Sequence, residues 1–90
     1  VILNRTLERA VELARNLGGA AGGLNDFYNI AKEGYDILIN CTSLGMYSEK
    51  SSLPLDCSYM LPHKVVLDVI PGNKDTCFLK EARKKECRII

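Results

Sequence analysis

The strongest constraint on this chain is a pair of short apolar runs, Asp36-Ile37-Leu38-Ile39-Asn40 and Lys64-Val65-Val66-Leu67-Asp68-Val69. Neither alternates apolar with polar residues, as a strand with one wet face would. Such runs fit strands covered on both faces, the situation in parallel sheets. Parallel strands cannot be joined by a tight turn, so crossovers must lie between them. One stands out upstream. After Val1-Ile2-Leu3, the positions Leu7, Ala10, Val11, Ala14 and Leu17 repeat at helical spacing and predict one buried helix face. Thr6 is placed to cap that helix, Glu8 suits its positive end, and Gly18-Gly19 stops it.

The remaining segments extend the same alternation. Residues 20–24 read as a minor strand or a connection, and residues 25–33 as a helical turn or two with Phe27 and Ile30 inward, ended by Gly34. A long loop rich in Ser, Gly and Pro runs from Cys41 to Ser58. After the second apolar run, Pro71 and Gly72 mark a turn. Thr76 then caps a helix from Cys77 to about Lys85 whose buried positions are Phe78, Leu79 and Ala82. Cys87-Arg88-Ile89-Ile90 reads as a last strand. The order β-α-(β)-(α)-β-loop-β-α-β predicts an α/β fold, a mostly parallel sheet with helix crossovers.

Ninety residues allow one domain, residues 1–90. With 12 basic and 11 acidic side chains the net charge is +1, which offers no electrostatic footprint for nucleic acid or a membrane surface. No apolar run reaches the roughly 18 residues of a membrane span. The N-terminus lacks Met and the features of a signal peptide, which suggests that sequence is missing upstream. Cys41, Cys57, Cys77 and Cys87 contain no C-x-x-C pair, so reduced thiols in a cytoplasmic protein are expected rather than a metal site.

Three segments carry chemistry. In Asn4-Arg5-Thr6-x-x-Arg9, a strand end presents cations and a hydroxyl, but no acid, beside a helix N-terminus. A dinucleotide site needs an acid there for the 2′-hydroxyl of NAD and cations for the 2′-phosphate of NADP. A guanidinium forks two donors onto phosphate, and free helix N–H groups complement the charge. Arg5 and Arg9 also fit a plain reading as solvated helix-start residues, with Arg9 paired to Glu8 or Glu12. In the second segment, Asp36 to Met46, a strand ends in a loop where Thr42 and Ser43 offer hydroxyls and Gly45 allows close backbone approach. In the third, Val66 to Leu79, Asp68 lies within an apolar strand and needs a hydrogen-bond partner if buried; structural support is favoured over direct catalysis.

Together these segments resemble the C-terminal NADP domain of the shikimate dehydrogenase family. NRTLERAVELA looks like that family's NADP-specificity motif, YDILINCTSLGMY like its N-A/C-T-S-x-G-M signature, and VVLDVIPGNKDTCFLKEAR like its D-x-x-Y-x-P-x-x-T-x-L-L segment. The first motif also occurs in glutamyl-tRNA reductases; the second is far more specific. The resemblance covers nearly all the chain except residues 20–30. It implies an incomplete Rossmann-like domain and NADP-dependent, reversible reduction of 3-dehydroshikimate to shikimate in aromatic amino-acid (chorismate) biosynthesis, with a homodimer compatible. It assigns Asn4, Arg5, Thr6 and Arg9 to the adenosine 2′-phosphate, Thr42 to the loop beneath the cofactor and Val69 to the nicotinamide.

The chain also departs from the family pattern. Pro71 stands where the family has a tyrosine on the substrate side, and Asn73 where it has a proline. A quinate-using relative, another NADP reductase and a non-catalytic nucleotide-binding module are the alternatives. The family's glycine-rich loop would precede Val1, and its substrate domain with the catalytic Lys and Asp is not in these residues. No catalytic or metal-binding residue is therefore assigned, and the 90 residues alone are expected to be inactive.

Overall fold

A computed structural model describes residues 1–42, 55–69 and 76–90. Among these residues five strands and three helices follow in order: β1 (Ile2–Asn4), α1 (Leu7–Leu17), β2 (Ala21–Gly23), α2 (Phe27–Glu33), β3 (Ile37–Asn40), β4 (Val65–Asp68), α3 (Cys77–Lys84) and β5 (Arg88–Ile89). Short 3₁₀ turns at Leu24–Asp26 and Cys57–Tyr59 complete the set. Every strand pairing among the described residues is parallel, as the apolar runs predict. The strands form two sheets rather than one: β1 pairs β2 with Leu3 opposite Gly22, and β4 lies between β3 and β5 with Asn40 opposite Asp68.

Helix α1 is stopped by Gly18, whose left-handed backbone (φ 78°) lets the amides of Gly18 and Gly19 both donate to the Ala14 carbonyl, at 2.7 and 2.9 Å. Ala10 and Ala14 pack on β1 and β2, but Leu7, Val11 and Leu17 are exposed, Leu17 to 69 %. The expected buried stripe is thus only half used. Helical period decides which residues share a face, and here only the alanines meet the sheet. A second correction concerns β3. Leu38 and Asn40 face inward while Ile37 and Ile39 are exposed, so this strand is covered on one face only.

Position 22 of β2 has no room for a side chain unless its neighbours shift. A Cβ there would lie 2.6 Å from Asp26 Oδ2 and 3.1 Å from Leu3 Cδ2. The carboxylate is held in place because its Oδ2 accepts a hydrogen bond from the Gly23 amide at 2.8 Å.

The core gathers Phe27 of α2, Cys57 and Met60, Val66 of β4, and Phe78 and Ala82 of α3. Leu3, Tyr35, Leu38, Leu55, Leu79, Cys87 and Ile89 pack around it. Phe27 and the half-buried Ile30 sit inward as the sequence predicts, and so do Phe78 and Ala82, with Leu79 half-buried. Tyr35 ties this core to the chain before β4: its Oη accepts from the Leu61 amide at 2.9 Å, while Cys87 Sγ donates to the Leu61 carbonyl at 3.4 Å. Burial raises the pKa of both the Tyr35 phenol and the Cys87 thiol.

Candidate functional site

The expected site residues fall into two groups, each at the carboxyl ends of parallel strands, where α/β sheets bind ligands. The first is built on β1 and α1. Asn4 ends the strand, and its Oδ1 accepts from the Thr6 amide at 2.8 Å, folding the chain sharply into the helix. The Thr6 carbonyl then accepts from the amides of Arg9 and Ala10 at 3.1 and 3.4 Å. Thr6 occupies the cap position, but its hydroxyl makes no capping bond, contrary to the sequence reading. Asn4 has taken over the local turn, which leaves the Thr6 side chain pointing to solvent.

Arg5, Thr6 and Arg9 are all exposed. Among the described residues neither arginine is ion-paired, so the anticipated alternative of Arg9 bound to Glu8 or Glu12 does not occur. Two unspent guanidiniums and an unspent hydroxyl thus surround the start of an eleven-residue helix. That arrangement suits a dianionic phosphate, because its donors need not first be released from other partners. The residues present therefore fit the cation-lined ribose end of an NADP site.

The second group spans β3, β4 and α3. Asn40 ends β3 and is 4 % exposed. Its Oδ1 accepts from the Thr42 amide at 3.0 Å and the Thr42 hydroxyl at 2.7 Å, and its Nδ2 donates to Asp68 Oδ2 at 3.3 Å. The same Asp68 oxygen accepts from the Thr76 hydroxyl at 2.6 Å. Thr76 Oγ1 in turn accepts from the Leu79 amide at 3.2 Å, which caps α3 as its sequence suggests. Asp68 has the support expected of a polar residue in an apolar strand. Val69 follows it, exposed, with its amide donating to the Asn40 carbonyl at 3.1 Å.

The sequence reading placed Thr42 and Val69 in this group but gave Asn40 no role beyond ending a strand. Its partner lies 28 residues away, which local pattern does not reveal. Ser43, Gly45 and Met46 of the second segment, and Pro71 and Asn73 of the third, lie outside the described residues.

A hollow of about 570 Å³ lined by Leu24, Asn25, Phe27, Tyr28, Leu55, Asp56 and Tyr59 contains none of the expected site residues. All four cysteines carry free thiols, and burial pushes the Cys57 thiol up to about 11. Among the described residues no cluster of His, Cys, Asp or Glu could hold a metal ion, and no helix is long and apolar enough to cross a membrane.

No family model matches the chain. It is 42 % identical over 96 residues to the shikimate dehydrogenase (NADP(+)) of Methanococcus aeolicus, a match that covers 99 % of this chain and 34 % of the relative. Its fold is similar to that of shikimate 5-dehydrogenase from Thermus thermophilus, solved in complex with NADP(H) and shikimate. There the TM-score is 0.79 at 30 % identity, covering 98 % of this chain and 31 % of that one. The ligand-free 5-ketofructose reductase of Gluconobacter sp. strain CHM43 is also similar, with a TM-score of 0.71 at 29 % identity, covering 99 % of this chain and 34 % of that one. The chain thus spans about a third of the length of the relatives it matches. Over that third, sequence and fold agree: the chain is similar throughout to shikimate dehydrogenases, and its fold is of the Rossmann-like α/β type.

Proposed function

We propose that the protein carrying this chain is an NADP-dependent shikimate dehydrogenase, reversibly reducing 3-dehydroshikimate to shikimate, and that these residues form part of its cofactor domain. The carrying observation is the pair of exposed, un-ion-paired arginines at the start of α1, beside a strand end without an acid. Asn4 shapes the turn, and Arg5, Thr6 and Arg9 hold the adenosine 2′-phosphate. Thr42 lies beneath the cofactor and Val69 beside its nicotinamide. When bound, NADPH supplies the hydride. None of the residues assigned here delivers the proton that the carbonyl oxygen must gain, so the 90 residues by themselves are expected not to turn over.

The free thiols support a cytoplasmic setting, in keeping with a biosynthetic enzyme of the aromatic amino-acid (chorismate) route acting on a small molecule. A homodimer is the assembly to test. The reading is checked with the polypeptide at its native length, assayed for shikimate-dependent reduction of NADP and of NAD. Turnover favouring NADP is expected, and none with either cofactor would refute it. A second reading, a related dehydrogenase with another polyol substrate, is favoured by Pro71 in place of the family tyrosine and by the likeness to 5-ketofructose reductase. The same assay with quinate, and oxidation of NADPH by 5-ketofructose, separate the two.

A further inference from the structure

Resting on the dehydrogenase reading, the Asp68 hydrogen-bond system gains a role of its own. Two branches of donors converge on one carboxylate oxygen. Along one, the Leu79 amide donates to Thr76 Oγ1 at 3.2 Å, and the Thr76 hydroxyl donates to Asp68 Oδ2 at 2.6 Å. Along the other, the Thr42 amide and hydroxyl donate to Asn40 Oδ1, and the Asn40 amide group donates to the same Asp68 Oδ2 at 3.3 Å. Every bond points the same way, toward the negative charge. A carboxylate at the end of such chains strengthens them, and the short Thr76 contact is of the charge-assisted kind.

The geometry matters because the branches begin on different segments. One fixes the first turn of α3, and the other fixes the residue that leads out of β3. The two segments have no sequence continuity that would set their spacing, and Asp68, at the end of the strand beside β3, is their common anchor. The 2′-phosphate group is built from β1 and α1 instead. We infer that Asp68 is a positioning residue for hydride transfer: through Asn40–Thr42 and Thr76 it sets the two segments beneath the nicotinamide, while cofactor affinity is set at the other end. Misplacement of reacting groups by about 1 Å costs on the order of a hundredfold in rate, with little need for a change in binding.

The test uses the native-length protein. For Asp68→Asn, kcat with shikimate and NADP should fall about ten- to a hundredfold. The dissociation constant for NADP, read by calorimetry, should stay within about threefold of the parent's. Thr76→Val should show the same split, and Thr76→Ser, which keeps both the donor and the cap, should restore most of kcat. Should Asp68→Asn fail to fold, the Thr76 pair carries the test on the same criteria. A kcat within about threefold of the parent's in the folded variants would overturn the inference, and so would a loss of NADP affinity matching the loss of kcat. A parent protein without turnover would instead sink the dehydrogenase reading, and this inference with it.

Discussion

The β1–α1–β2 unit and the β3–β4–α3–β5 unit treat polar side chains at their strand ends in opposite ways. In the first, Arg5, Thr6 and Arg9 are exposed and unspent, and the helix rests on its sheet through two alanines. In the second, Asn40, Asp68 and Thr76 are consumed by one another above a core of Phe27, Val66 and Phe78. Unspent donors can read a ligand's charge, whereas spent ones cannot but hold geometry. On the proposed reading, recognition falls to the first unit and positioning to the second.

The contrast is broken most severely through packing. Phe78→Ala, at a site 3 % exposed, should cost about 3–5 kcal/mol, while Leu17→Ala on the open face of α1 should stay within about 0.5 kcal/mol. Denaturant unfolding of both variants checks this, and equal losses would show that the Leu17 face of α1 is covered. Next in size, Gly22→Ala should destabilise by about 1–3 kcal/mol, because the new methyl displaces Asp26 from the Gly23 amide and presses on Leu3. A neutral result would mean that β2 shifts freely against its 3₁₀ turn.

A smaller effect sharpens the comparison through pH. Burial raises the Cys57 thiol from its ordinary 9.0 to about 11, with Glu81 and Asp56 adding to the shift. The folded state therefore keeps the proton that the unfolded state loses first. This contribution is complete below pH 9 and is lost as the pH rises toward 11. Melting curves across that window should fall less steeply for Cys57→Ser than for the parent. Iodoacetamide should modify the exposed Cys41 well before Cys57 in the folded protein.

Much of the second unit is legible in the sequence. Thr76, Phe78 and Ala82 announce a capped helix with one buried face, and the apolar runs announce parallel strands. What sequence period does not carry is whether a face is covered. Leu7, Val11 and Leu17 share a stripe, as do Ile37 and Ile39, yet both stripes are open among the described residues. The 3₁₀ turn Cys57–Tyr59 is too short to show a period. Its one local sign is Asp56, whose Oδ1 accepts from the Ser58 amide and hydroxyl at 3.0 and 2.6 Å, which also holds that carboxyl below its usual pKa. At the site, the NRTLER motif placed the exposed cations, because their chemistry is local. The Asn40–Asp68–Thr76 system stayed hidden because it forms only once separate strands are in register.

The central claim, that unspent donors at the start of α1 read the 2′-phosphate, is tested most directly by measuring NADP and NAD affinities of Arg5→Ala against the parent by calorimetry. Loss of a charge-assisted bond predicts that NADP binding weakens by about 1.5–3 kcal/mol while NAD binding barely changes. Equal losses for both cofactors, or none for either, would contradict it.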